Sequence, residues 1–226
     1  MSFQTHPTYL DFEAANADFS NRLDACLNVI VADAPLHGRF LNTLSMMEHM
    51  GARRIMITQS HAALAQDTLK HMAEEARHAF FFKRQADKFA GRAMDYTPAD
   101  TIAPAFARMY FMRLESYIAK DLKDVENPGL VTYLYMSMII EFRAVWSFGV
   151  YQKCLDANAV KLSLKSLLAE EQGHLEEMEA TLAATGIGTS ERINRYLAKE
   201  QELFVKLLGA LEGAVLSTPS TAHAVA

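Results

Sequence analysis

Two short stretches, Glu75-Ala-Arg-His78 and Glu171-Gln-Gly-His174, decide how this chain is read. Each is Glu-x-x-His, and on a helix positions i and i+3 project the same way, so each offers a carboxylate and an imidazole to one spot. With 16 Glu and 8 His in 226 residues, chance supplies about 0.6 such motifs, so context has to decide. Both motifs fall on apolar stripes at helical spacing. One stripe is Thr68, His71, Met72, Glu75, His78, Ala79, Phe82 and the other is Leu164, Leu167, Leu168, Glu171, His174, Leu175, Met178. Two further stripes carry one isolated acid each: Leu41, Leu44, Glu48, Gly51, Ala52, Ile55, and Leu134, Ser137, Met138, Glu141, Val145, Phe148.

Helix punctuation frames these stripes. Asp33-Ala-Pro35 opens a pattern that runs to about Ser60, and a second runs from about Asp67 to Ala90, closed by Gly91. Thr97-Pro98 and Pro104 open a helical stretch over about 100–123, and Asn127-Pro128-Gly129 starts a helix to about Leu155. After the turn Asp156-Ala-Asn158 a helix runs from about Val160 to Ala184, and beyond Gly186-Ile-Gly188-Thr189 a last one covers about 189–211. Residues 1 to about 10 and the tail Ser217–Ala226 read as frayed. No linker divides the chain, which predicts one all-α domain over 1–226. Its core, about 35–185, is two helical hairpins joined by a helical crossover, with an additional C-terminal helix.

Composition agrees with a globular helical protein: half the residues are apolar, 22% are charged, the mean hydropathy is −0.01, and there are only 10 Gly and 6 Pro. The net charge of −5, with Lys and Arg scattered among acids, argues against nucleic acid as a partner. Cys26 and Cys154 form no C-x-x-C pair, which excludes a rubredoxin-like or zinc-ribbon module and fits a reducing cytoplasm. The N-terminus carries no secretory signal pattern. Leu130 to Tyr151 is long and apolar enough to span a bilayer. It carries Glu141 and Arg143 at its centre, at about 2.5–3.5 kcal/mol each on insertion scales, so it reads as a helix buried in protein.

Register brings the acids together. In an antiparallel hairpin two residues share a height when the turn lies midway between them. The midpoint of Glu48 and Glu75 falls near residues 61 and 62, and that of Glu141 and Glu171 at Asp156, each inside a predicted turn. Four carboxylates and two imidazoles then occupy one layer of a four-helix bundle. Carboxylates crowded in a dry layer repel, and two divalent cations would balance them. A single one of these residues reads more readily as a satisfied core or surface group; six in register with two turns do not. His71, one turn before Glu75, reads first as a supporting or satisfied histidine and second as a third imidazole ligand. Glu115 is a weaker candidate. Glu74, Glu170 and Glu177 lie off the stripes and read as solvated, and the cysteines and methionines read as packing.

Glu48, Glu75-x-x-His78, Glu141 and Glu171-x-x-His174 together resemble the ligand set of the ferritin-like di-iron carboxylate superfamily, over roughly residues 35–185. The resemblance implies a ferritin-like four-helix bundle. Glu48 and Glu141 would be terminal ligands, Glu75 and Glu171 bridging ones, and His78 and His174 would give one nitrogen to each of two Fe ions, with Mn an alternative at one or both sites. Paired Glu-x-x-His motifs are more similar to oxidase and oxygenase sites than to typical ferritins. The chain lacks rubrerythrin's cysteines and is much shorter than ribonucleotide reductase subunits or multicomponent hydroxylases. Its length and ligand spacing are similar to the aldehyde-deformylating oxygenases. The tRNA-hydroxylase branch is compact too, but the acid excess argues against tRNA. The string His71-x-x-x-Glu75-x-x-His78 resembles the N-oxygenases, which place the additional histidine in the later motif. The implied activity is an oxidoreductase, a di-iron oxidase or oxygenase that takes O2, a small and largely apolar substrate, and electrons from an external ferredoxin- or reductase-like donor, working as a monomer or homodimer. Leu44, Met72, Ala79, Met138, Val145, Phe148, Leu168 and Leu175 would line its pocket. The alternatives are iron binding and ferroxidation for storage or detoxification, and a peroxidase or manganese-catalase activity.

Overall fold

The computed structural model describes residues 7–59 and 64–217. They form eight α-helices: α1 (Pro7–Ala15), α2 (Ala17–Ala32), α3 (Ala34–Thr58), α4 (Gln66–Ala90), α5 (Pro104–Asp121), α6 (Pro128–Ala157), α7 (Lys165–Ala184) and α8 (Ser190–Val215). No strand occurs among the described residues, and the chain is an all-α bundle. Punctuation works as its chemistry dictates. The Asp33 carboxylate accepts the Leu36 N–H at 2.8 Å ahead of α3, Gly91 closes α4 at φ 67°, and Thr189 accepts the Arg192 N–H ahead of α8.

Four helices, α3, α4, α7 and α6, form a ring. Helices α3 and α4 pack closest: a Cβ on Gly38 would sit 3.0 Å from Ala90 N, so glycine is what lets the two backbones approach there. Helices α4 and α7 run antiparallel, with Lys70–Glu177, Glu74–His174 and His78–Glu170 contacts on successive turns. The α3–α6 pair is antiparallel as well, tied by His37 to the Tyr151 hydroxyl at one end and by Gln59 to the Gly129 carbonyl at the other. Helices α2, α5 and α8 make an outer layer over the α3–α6 side.

A buried ion pair joins this outer layer to the ring. Arg143 of α6 donates to both oxygens of Glu200 on α8, at 2.8 and 2.7 Å, and the Tyr110 hydroxyl of α5 donates to the same carboxylate at 2.7 Å. Glu200 is fully buried, and the Arg143 guanidinium lies 3.7 Å from the centroid of the Phe204 ring, in contact also with Trp146 and Phe12. The Arg143 charge that interrupts the apolar stretch Leu130–Tyr151 is thereby paired inside protein through Nε and Nη2, while Nη1 stays without a hydrogen-bond partner. Among the described residues no helix is long and apolar enough to cross a membrane.

Three expectations need correction. The fraying expected up to about residue 10 does not hold from Pro7 onward, and the chain from there to Asp33 forms α1 and α2. Leu23, Cys26, Leu27 and Ile30 bury one face of α2, and this packing orders the segment. The α7 helix begins at Lys165 rather than near Val160, because Gln152 takes the Leu164 N–H at 2.6 Å and Leu162 and Leu164 are buried in an irregular connection. The α8 helix runs on to Val215, held by the Arg22–Glu212 pair, whose atoms lie 2.7 and 2.6 Å apart. The expected fraying of residues 1–6 and 218–226 lies outside the described residues.

Stranding a buried charge costs more than deleting the pair. Arg143→Met should destabilise the fold by about 3–5 kcal/mol, and Arg143→Met combined with Glu200→Leu by less than the single change. Urea unfolding of both variants checks the order.

Candidate metal centre

The register argument places Glu48 on α3, Glu75 and His78 on α4, Glu141 on α6 and Glu171 and His174 on α7 at one height, and the structure brings all six together. His71 joins them. Donor atoms of His71, Glu75, Glu141 and His174 lie within 4.8 Å of one another, as do those of Glu48, Glu75, His78 and Glu171, so Glu75 belongs to both groups. His71 Nε2 stands 3.3 Å from Glu75 and 3.4 Å from Glu141. The two oxygens of Glu171 face different imidazoles, at 3.0 Å to His78 Nδ1 and 3.0 Å to His174 Nδ1. These seven residues are buried except for Glu48, which is partly exposed to an adjoining cavity. Glu115 does not join the layer; it pairs with Arg54 at the edge of that cavity.

Each imidazole is anchored by its outward nitrogen. His71 Nδ1 lies 2.8 Å from the Tyr133 hydroxyl, His78 Nε2 2.8 Å from Glu170, and His174 Nε2 2.9 Å from Glu74. Glu74 and Glu170, expected to be solvated, therefore hold the histidine of the opposite helix. Arg77 adds a second partner to Glu170 at 2.6 Å. Glu177 does stay at the surface, paired with Lys70. Such partners fix ring orientation and raise ligand basicity. Glu74 and Glu170 directly precede Glu75 and Glu171, about 100° around their own helices, so no periodicity in one helix marks them; only the packing of α4 on α7 does.

The electrostatics show a crowded anionic site that holds protons. Burial, and then the carboxylates of Glu75, Glu171 and Glu141, push Glu48 well above the usual range, and burial with Glu141 raises Glu171 to about 7. Burial acts in the same direction on Glu141, but the imidazoles of His174 and His71 beside it outweigh it and bring the group down to about 2. Burial opposes charge on the histidines, yet Glu171 raises His78 to about 9 and Glu141 with Glu171 raises His174 to about 11. Imidazolium protons thus stand in for a missing positive charge.

The residues fit a pair of metal ions. His71 Nε2 and His78 Nδ1 are buried with no hydrogen-bond partner, and both point at carboxylates of the layer. A Cβ on Gly51 would sit 2.9 Å from Glu75 Oε2, so glycine leaves the shared carboxylate its room. Oxygen and imidazole donors in this number suit divalent first-row ions.

A cavity of about 370 Å³ opens on Glu48, His71, Glu75 and Glu141. Its walls are mostly apolar, including Leu44, Met47, Ile55, Phe111, Met136, Ile140 and Phe148, and α5 closes it with Tyr110, Phe111, Glu115 and Ala119. Of the expected lining only Leu44 and Phe148 are in place. Met72, Ala79, Met138, Val145, Leu168 and Leu175 lie elsewhere, because the ring interior is packed and the space lies between the ring and its crossover helix. A scan of family models and searches of curated proteins and of solved structures returned no match to this chain.

Gly51→Ala should fold with nearly unchanged stability, since the clash falls on the flexible end of Glu75, yet lose most of its bound metal; elemental analysis beside thermal melting checks both halves. The metal-free protein should lose the stability these groups contribute between about pH 4.5 and about pH 11. His78 and His174 have folded-state pKa values raised above the ordinary 6.5, so their contribution is complete below 6.5 and runs out as pH climbs through about 9 and about 11. Glu171, at about 7 against an ordinary 4.5, loses its contribution between those values. Metal binding, which expels these protons, should strengthen over the same span. Urea midpoints across this range, with and without metal, read both trends.

Proposed function

We propose that this chain is a member of the ferritin-like di-iron carboxylate superfamily and acts as an oxidase or oxygenase, using O2 and externally supplied electrons on a small, largely apolar substrate. The observation that carries the reading is the shared carboxylate Glu75, common to two donor groups and facing an apolar cavity. In this reading Glu75 and Glu171 would be shared by two ions, Glu48 and Glu141 would each serve one, and His78, His174 and His71 would give nitrogens. Iron fits hard carboxylates with imidazoles, and manganese is the alternative. Bound iron supplies the electrons and the open positions at which O2 is reduced.

The chain's own residues do the rest. Tyr133, Glu170 and Glu74 hold the three rings in place. The cavity, at about 370 Å³, is of a size to hold a small molecule beside Glu48, His71, Glu75 and Glu141. Hydrophobic walls with few polar groups favour an apolar substrate over a charged one. The extra helix α5, which walls this space, favours an enzyme over an iron-storage subunit.

The test is anaerobic loading with Fe(II), an O2 pulse, and iron counting after desalting. Two irons retained per chain, with O2 consumed repeatedly in the presence of a chemical reductant, supports the reading. A mineral of many irons per chain would replace it with storage, and peroxide turnover without O2 with a peroxidase or catalase. Glu75→Ala and Glu171→Ala should each remove more metal than Glu48→Ala, because a bridge serves both ions; equal losses would refute the bridging roles.

A further inference from the structure

The outer edge of the α3–α5 seam differs from the rest of this acidic protein. Arg108 reaches across to Met46 and the Tyr96 carbonyl, and Arg54 pairs with Glu115, so α5 lies alongside α3 over these turns. On the solvent side of α5, Phe106, Met109 and Met112 are 45%, 38% and 65% exposed, interleaved with exposed Arg108 and Arg113. Arg53 of α3 is exposed beside Arg54. Among the described residues Arg53, Arg108 and Arg113 form no ion pair, and Glu115, the acid at this seam, is neutralised by Arg54. A chain of net charge −5 thus gathers uncompensated cations and large apolar side chains on one face.

We propose that this face docks an acidic one-electron donor protein of the ferredoxin class, an inference that rests on the oxidase or oxygenase reading. Methionine, aromatic and arginine side chains with little lysine are the composition of protein-binding surfaces, and methionine adapts to a partner's shape. A membrane-surface helix would segregate its basic and apolar residues onto opposite faces; here they are mixed on one. A second copy of the chain would bring like charges together. The location suits electron delivery: Arg54 follows the candidate ligand Glu48 by six residues on α3, about 9 Å along the helix axis. At each visit the donor is oxidised and the bound metals gain one electron, so two visits serve a two-electron turnover.

The test uses the full-length protein loaded with Zn(II), which cannot accept electrons, titrated calorimetrically with oxidised plant-type [2Fe–2S] ferredoxin at low and moderate salt. Saturable binding is expected, weakened about tenfold or more by added salt and again by Arg53→Glu with Arg113→Glu, with metal content unchanged. Absent binding at low salt, or equal binding by the charge-reversed protein, would overturn the assignment. So would sedimentation with phosphatidylglycerol vesicles that the same substitutions abolish, or a dimer that Met112→Asp dissolves. Docking to zinc-loaded protein and O2 uptake with a chemical reductant are independent readings, so failure of one leaves the other standing.

Discussion

Glu48, Glu75, Glu141 and Glu171 face one another in a layer where water can screen them little, and the surrounding structure is organised by what that repulsion requires. In such a medium an unpaired carboxylate either takes up a proton or finds a cation. Here both compensations are visible: Glu48 and Glu171 hold protons more tightly than free acids do, and His71, His78 and His174 are held toward the charged form. Without a metal the layer thus balances its carboxylates with protons, on Glu48 and Glu171 and on the three imidazoles. Two divalent ions would take over that balance and release the protons, so metal binding and proton loss are two faces of one equilibrium.

The layer is not symmetric across the bundle. On the α4–α7 side it is sealed, because Glu74 and Glu170 cross between helices to the opposite histidines and Arg77 covers Glu170. On the α3–α6 side the same layer borders a cavity, with α5 rather than a ring helix as its outer wall. A helix in the crossover can stand off from the bundle without breaking the hairpins that align the ligands. The Arg143–Glu200–Tyr110 cluster then ties α5, α6 and α8 together below the open space. The candidate ligands are thus braced by hydrogen bonds on one side of the layer, and on the other the layer opens on a cavity.

Much of this was legible because helical periodicity and hairpin midpoints are properties of the chain alone. They placed Glu48 opposite Glu75 and Glu141 opposite Glu171 without any knowledge of how the hairpins meet. What depended on that meeting was not legible. Glu74 and Glu170 look like surface acids until α7 packs on α4, and Tyr133 is one of several aromatic residues on an apolar helix until His71 faces it. Most of the expected pocket lining lies elsewhere for the same reason: apart from Leu44 and Phe148, neighbours along a stripe fill the ring interior while the cavity lies outside it. The α2 helix is a different case: Leu23, Cys26, Leu27 and Ile30 stand at i, i+3, i+4 and i+7, a helical period that the chain carries without any tertiary context.

The anchoring of the three imidazoles also makes the two donor groups chemically unequal. A ligating nitrogen must be free of its proton, so the proton sits on the other nitrogen and is donated outward. His78 and His174 would then coordinate through Nδ1 and donate from Nε2 to carboxylates, whereas His71 would coordinate through Nε2 and donate from Nδ1 to a neutral phenol. A carboxylate partner draws the proton away and makes the ring a stronger donor to metal; a tyrosine does so less. The group with His71 and His174 therefore has two nitrogens of different strength beside Glu75 and Glu141, and the group with His78 has one strong nitrogen among three carboxylates. Both Glu48 and His71 border the cavity, one from each group, so a reactant held there would meet one ion richer in oxygen donors and one richer in nitrogen donors. That inequality is built by Tyr133, Glu74 and Glu170, none of which touches the layer's centre.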